Sequence, residues 1–311
     1  MFRPIASSGR NRRPRVNDFT AGGRIMVKTI GNPLSFAAWV LGGTASHVGA
    51  SVERIGGTAP GAIHLRRLTN DDLRHALKKG AEDFAAARAD VLFLVVLYPV
   101  IGLVLAGIGF NLNLLPLLFP LAAGFALIGP VAAVGLYEIS RRRERGEPAT
   151  WGAALRVTGS PNFGAIVVLG LYLLAIFLIW MMAANWVYAL TLGPEPPASA
   201  AGFLRDVFTT AAGWTMIVLG MMVGFVFALL VLAISVVSFP LLLDRQVGVP
   251  TAIVTSIRVA QKNPRVIATW GLIVALGLLL GSVPFFIGLI VVMPILGHAT
   301  WHLYRAAIGP G

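Results

Sequence analysis

Four ionisable side chains stand at or near the ends of long apolar stretches: Glu138, Asp244, His298 and His302. The two histidines are spaced i, i+4, so they share one face of a helix. Two imidazoles and two carboxylates form a donor set that can bind a divalent metal ion. A histidine pair can also carry positive charge near neutral pH. Ionisable groups within a membrane are costly, which makes these four the candidates for function. The histidine pair lacks the intervening Glu of a zincin helix, so the spacing alone does not define a metal site. A plainer structural reading pairs Glu138 with Arg141–Arg143 and Asp244 with Arg245, and leaves the histidines as anchors at the ends of spans. No P-loop, nucleophile elbow or dinucleotide fingerprint occurs. There is no cysteine, which excludes disulfides, thiol catalysis and cysteine zinc sites. No catalytic residue and no cofactor is expected.

The elements that would position these residues are apolar segments. The chain has 311 residues, 57% hydrophobic and 12% charged, against about 25% charged in a soluble domain. Six segments stand out: Val91–Phe110, Leu114–Tyr137, Phe163–Leu190, Trp214–Leu243, Val266–Gly281 and Phe285–His302. About 20 apolar residues suffice to cross the roughly 30 Å core of a bilayer as a helix. The expectation is therefore an all-α, polytopic membrane helix bundle with six transmembrane helices. The net charge of +12 is read as cytoplasmic anchoring. Nucleic acid is not an expected partner, because no basic patch interleaved with aromatics is visible.

The six segments group into three hairpin units, each expected to be preceded by a cytoplasmic amphipathic helix. The clearest is Thr69–Arg88, where Thr69 and Asp72 form a capping-box start. Leu73, Leu77, Gly80, Phe84 and Ala87 fall on one face, and Arg74, Lys78, Lys79, Glu82 and Asp83 on the other. Gly146-x-Pro148 and Gly248-x-Pro250 are each followed at the same distance by an Arg-Val pair, then by Ser160-Pro161 or Asn263-Pro264 and a span. That order marks an internal repeat. Each closing helix carries one proline, at Pro130, Pro240 or Pro294, which frees the carbonyl four residues back and should bend the helix. No charge occurs from Val266 to Gly297, and Pro284 beside Gly281 and Ser282 predicts a tight turn there. Gly220-x-x-x-Gly224 and Gly277-x-x-x-Gly281 permit close helix approach.

Charge sets the topology. Arg141–Arg145 and the stretch with Arg245, Arg258, Lys262 and Arg265 are basic, whereas the opposite connections are nearly uncharged. Both termini are expected in the cytoplasm and Thr191–Ala211 outside, with Phe203, Leu204, Val207 and Phe208 on a short outer helix. Asn185 is expected to bond to another helix. Trp180, Trp186, Trp214, Trp270 and Trp301 are read as interfacial belt residues. Residues 1–68 read as a mostly disordered cytoplasmic tail rich in Arg, Ser and Gly, with Met26 as an alternative start. Residues 69–306 form the membrane domain and 307–311 a short tail.

Leu97–Gly102, preceded by Leu73-Arg74, Ala76-Leu77, Lys79-Gly80 and Asp83-Phe84, resembles the bacterial integral membrane family called domain of unknown function 2189. Thr29–Ser35 also looks like the start of its members. The resemblance implies a membrane fold in a bacterial inner membrane and carries no activity, substrate or catalytic residue. Three readings of function follow: a non-enzymatic scaffold or assembly partner in the bilayer, a small-solute or proton-coupled transporter, and a membrane-embedded metalloenzyme on His298 and His302. The first rests on the lack of a polar path through the spans.

Overall fold

The structure is a computed structural model. It describes residues 63–86, 100, 103–104, 107, 111, 113–150, 152, 156–284 and 286–309. The tail 1–62, Met26 included, and most of Val91–Phe110 lie outside the described residues. The chain divides into a unit Met1–Ala45, outside the description, and a unit Ser46–Gly311. Among the described residues the regular elements are helices. They are α1 Asn70–Ala85, α2 Leu118–Ala132, α3 Val134–Glu144, α4 Phe163–Thr191, α5 Ala200–Thr209, α6 Ala211–Ser235, α7 Ser238–Asp244, α8 Val249–Lys262, α9 Pro264–Ser282 and α10 Leu289–Ala307.

Three stretches are long and apolar enough to cross a membrane: Phe163–Thr191, Ala211–Asp244 and Pro264–Ser282. The second and sixth expected spans differ, because their far ends enter the protein interior. The second is broken at Ala133 into α2 and α3, and α3 buries Val134, Leu136, Tyr137, Glu138, Ile139 and Ser140. In the sixth, from Pro294 onward, Gly297, His298, Ala299, Trp301, Leu303 and Tyr304 are buried.

Two kinds of surface result. On α4 a stripe of Ala165, Ile166, Leu169, Leu173, Trp180, Ala184 and Tyr188 is buried, at the spacing of one helical face. Its other faces expose Leu171, Leu178, Ile179, Met182 and Leu190. Along α6, Val218, Met222, Phe225 and Val226 are exposed. Such apolar exposure is costly in water and ordinary in hydrocarbon. At the other end, α7 is buried throughout from Ser238 to Leu243 and packs among α3, α4, α8 and α10.

The join between α6 and α7 shows how the sequence makes that core. Pro240 has no N–H to give to Val236, and the helix opens there. Ser256 of α8 fills the gap: its hydroxyl donates to the Ala233 carbonyl at 2.7 Å and accepts from the Val237 amide at 3.4 Å. These are the two backbone groups that an unbroken helix would have joined directly. Ser238 donates to the carbonyls of Ala252, at 3.0 Å, and of Ile234. In α10 the helix continues through Pro294, so the three prolines do not give three equal breaks.

α1 has the expected cap. The Thr69 hydroxyl accepts from the Asp72 amide, and the Asp72 carboxylate accepts from the Thr69 amide at 2.7 Å. Its buried face is Leu73, Ala76, Gly80 and Asp83, so Asp83 is inside rather than on the outer face. α1 lies against α10. Gly80 is what allows this, since a Cβ there would stand 2.6 Å from the Ile295 carbonyl oxygen and 2.7 Å from the Ala299 nitrogen. Ahead of α1, Leu65 bridges to Ile308, Arg66 donates to the Ala307 carbonyl at 2.8 Å, and Leu68 donates to the Asn263 side chain at 2.7 Å.

The later Gly-x-Pro stretch forms the 14-residue α8, with Pro250 in its first turn. After the earlier one, residues 151 and 153–155 lie outside the described residues, Gly152 is helical, and a 3-10 turn spans Arg156–Gly159. The turn between α9 and α10 falls where Pro284 predicts it. Gly281 and Gly288 meet there: a Cβ on Gly288 would stand 2.8 Å from the Gly281 Cα, and one on Gly281 would stand 2.7 Å from the Leu289 side chain. Of the five tryptophans read as belt residues, Trp186 and Trp214 are exposed, but Trp180, Trp270 and Trp301 are buried packing residues. The Trp180 indole donates to the Pro120 carbonyl at 2.9 Å. Asn185 is exposed, and no described residue bonds its side chain across helices.

Candidate functional site

The charged side chains concentrate at one end of the molecule. Among the described residues all of them except Glu195, Arg205 and Asp206 precede α2, fall between Glu138 and Arg156 or between Asp244 and Arg265, or belong to α10. The run Arg141–Arg145 at the end of α3 is their hub, and successive residues serve different neighbours.

Glu138 is the first centre. Its carboxylate, 3% exposed, is held by Arg141 and Arg142, each at 2.7 Å. These are i, i+3 and i, i+4 pairs on one helix, the spacing at which side chains meet. Arg141 also donates to the Leu243 carbonyl at 3.2 Å and so ties α3 to α7. Glu138 and the two arginines line an open pocket of about 540 Å³ together with Ser160, Asn162 and Gln246.

Asp244 is the second centre. It accepts from the Tyr304 hydroxyl at 2.8 Å, and from Arg145 at 3.3 Å and Arg305 at 3.4 Å. Glu144 joins the same group, accepting from the Trp301 indole at 2.9 Å and from Arg305 at 3.0 Å. Arg245, the partner expected from sequence, turns instead to the Gly309 carbonyl at 2.6 Å.

The histidines make the third centre with residues that sequence reasoning did not bring to them. Asp83 of α1 accepts from the Ser140 hydroxyl at 2.6 Å, lies 2.9 Å from His302 Nε2, and is 3.2 Å from Arg143 Nε. Ser140 Oγ is 2.8 Å from His298 Nδ1. Ser140 has one proton. If it goes to the Asp83 carboxylate, His298 must donate through Nδ1, and its Nε2 carries a lone pair. That nitrogen is buried and has no hydrogen-bond partner among the described residues. Burial works to raise the Asp83 carboxyl, but the hydrogen bonds from His302 and Ser140 and the attraction of the histidines outweigh it. The group lies below its ordinary value of 3.8.

The three residue types of a serine hydrolase are present here in the wrong order. A nucleophilic serine needs a histidine as its base and a carboxylate behind the histidine. Here serine stands in the middle and gives its proton to the carboxylate, and Ser140 and His298 are fully buried. What this arrangement does is join helices: Asp83 belongs to α1, Ser140 and Arg143 to α3, and the histidines to α10.

The four residues singled out from sequence therefore lie in three separate clusters. Among the described residues no group of three His, Cys, Asp or Glu side chains is placed to hold a metal ion. The signal that could have led to Asp83 is its i+3 spacing from Gly80, which places it on the close-packed face of α1.

Apolar helices of spanning length, joined at one end by a basic, ion-paired hub, define a helical integral membrane protein. Residues 118–244 match the model of the family described as "Predicted integral membrane protein (DUF2189)"; α1 and Leu97–Gly102 lie outside the matched stretch. The matched stretch contains the Arg141–Arg145 hub and both Pro130 and Pro240. Comparison with curated proteins and with solved structures gives no significant match.

Proposed function

We propose that this chain is a non-enzymatic scaffold or assembly partner of a bacterial inner membrane. In this reading it crosses the bilayer six times in three repeated hairpin units, each introduced by an amphipathic helix on the cytoplasmic surface, with both termini in the cytoplasm. One observation carries it: the buried ionisable side chains at the basic end are used to fasten helices to one another. Glu138, Asp83 and Asp244 each hold arginines or histidines from their own or neighbouring helices. Of Asn185, Ser235 and Ser238, the residues that could partly line a polar path for a transporter, Ser235 donates to the Val231 carbonyl of its own helix and Ser238 to carbonyls of α6 and α8. On this reading His298, His302, Glu138 and Asp244 are clamps and not metal ligands.

Reporter fusions after Arg145, Ala200, Gln246 and Gly311 test the topology. The expected result is a cytoplasmic signal at all positions except Ala200. An external signal after Arg145 or Gly311 sinks it. Elemental analysis of the purified protein tests the clamp reading. Less than a tenth of an equivalent of zinc, iron or manganese is expected, on the order of adventitious binding. One metal per chain, lost in the His298→Gln variant, would revive the metalloenzyme.

A further inference from the structure

We propose that the pocket between α3, the Val157–Asn162 loop and the end of α7 is a binding site for a phosphate group. Its preferred source is the headgroup of an anionic phospholipid. The pocket is open, encloses about 540 Å³, and falls within the usual range of ligand sites, roughly 300–1,000 Å³. Two arginines and two carboxylates line it, and both carboxylates already have partners. Glu138 faces two arginines, and the other carboxylate in the wall, Asp244, is already held by Arg145, Arg305 and Tyr304.

Arg142 is the residue with donors to spare. Its Nε is fixed on Glu138 at 2.7 Å, while its terminal nitrogens have a loose contact with Glu147 at 3.6 Å. Glu147 is itself half exposed. An anion can displace it and take the paired N–H groups of the guanidinium, which fit a phosphate in a bidentate way. Arg141 lacks this freedom, because Glu138 and the Leu243 carbonyl occupy it. Ser160 adds a hydroxyl. It accepts from the Asn162 amide at 3.3 Å, which leaves its own proton to give. Asn162 is taken up with the carbonyls of Leu242 and Arg245, so it shapes the wall and does not compete for the ligand.

The surroundings favour a lipid over a free anion. Val157 and Leu243 give the pocket an apolar wall. The loop runs directly into Phe163, the first residue of a helix whose outer faces are exposed apolar side chains. A phosphodiester held by Arg142 would have its glycerol and acyl chains beside α4, where hydrocarbon belongs. Basic pockets at the ends of membrane helices commonly select anionic headgroups in this manner.

The test uses the purified full chain in detergent, titrated with short-chain phosphatidylglycerol, with short-chain phosphatidylcholine, and with inorganic phosphate. Bound lipid is read by native mass spectrometry and binding by thermal shift. Phosphatidylglycerol is expected to bind about tenfold more tightly than phosphatidylcholine, and Arg142→Gln to lose about that factor. Because Arg142 also supports Glu138, a second pair of variants is used at Gln246, which is neutral, exposed and at the pocket rim. Gln246→Glu should weaken phosphatidylglycerol binding and Gln246→Lys strengthen it, with the fold unchanged. If inorganic phosphate competes at similar concentration, the site takes the phosphate group itself. If it does not, the site takes the lipid. Either result upholds the proposal. Equal binding of the two lipids, or no response to the charge at Gln246, overturns it.

Discussion

Residues 211–244 form one apolar run with two fates. In α6 the side chains of Val218, Met222, Phe225 and Val226 are each more than half exposed. In α7, a few residues on, Phe239, Leu241 and Leu242 have no exposed surface at all. Composition does not separate the two halves. What separates them is the break at Val236 and Val237 and the ring of neighbours beyond it. Below the break α7 meets α3, α8 and α10: Arg141 of α3 donates to the Leu243 carbonyl, Ser238 donates to the Ala252 carbonyl of α8, and Ser256 of α8 bridges the break itself. Above it, α6 packs against α4, α5, α8 and α2, and its remaining faces expose apolar side chains. Apolar residues thus serve as a lipid-facing surface in one half and as an interior packed like that of a soluble protein in the other.

The contrast is broken most strongly by large-to-small substitutions on its two sides. Phe239→Ala should cost about 3–5 kcal/mol, the usual range for a buried phenylalanine. Phe225→Ala, on the exposed face of α6, should cost less than about 1 kcal/mol, because a lipid chain can fill the space. Denaturation of both variants in the same detergent tests this, and equal losses would mean that α6 is packed against protein. Glu138→Ala belongs with the large effects. It leaves two arginines at the basic end without their shared carboxylate, a loss of about 3–5 kcal/mol where one partner of a buried pair is removed. Glu138→Gln should recover part of it through hydrogen bonds.

A smaller effect is expected where α1 docks. Gly80→Val puts a side chain where the backbone of α10 already stands, and overpacking of this kind costs about 1–3 kcal/mol. Proteolysis between α1 and the bundle should then rise, while the apolar half keeps its behaviour in detergent. Unchanged protection of Leu73–Gly80 would show that α1 does not depend on this contact. Ser256→Ala sharpens the comparison at its boundary. It removes the bridge between Ala233 and Val237 and leaves two backbone groups in the break unpaired, for about 1–3 kcal/mol. Ser256→Thr should be milder, and an Ala variant as stable as the parent would mean that water replaces the hydroxyl.

Much of this was legible in the sequence, and the illegible part has a common cause. The cap of α1, the apolar lengths of α4 and α9, the turn at Pro284 and the short helix α5 all follow from local pattern. Period and capping chemistry are local properties. The clustering of Glu138 with its own arginines was legible too, since i+3 and i+4 neighbours meet on any helix. The partners of the histidines were not. Asp83 lies more than two hundred positions from His302 in sequence, and only the docking of α1 on α10 brings it there. Nor could hydropathy distinguish Pro264–Ser282, of spanning length and character, from the far half of α10, which is interior. Trp301 was misplaced at the interface for the same reason, because its indole is satisfied by Glu144 from another element.

The Asp83 cluster supplies the smallest and most specific expectation, in the pH dependence of stability. The carboxyl is held below its ordinary value in the folded protein. A depressed folded value means the unfolded chain binds the proton more readily, so stability gained from Asp83 is complete above the unfolded value and is lost as pH falls through the folded one. The ordinary value is 3.8, which places the loss on the acid side. The gap in melting temperature between the parent and Asp83→Asn should therefore stay constant at neutral and mildly acidic pH. It should close as the pH drops below about 4. Ser140→Ala should narrow the gap without moving its position greatly, because it removes one of the two hydrogen bonds that depress the carboxyl. A gap that closes instead as pH rises through about 6 would place the controlling titration on a histidine, whose charged form attracts the Asp83 carboxylate. The clamp between α1 and α10 would then depend on histidine charge more than on the ionisation of Asp83.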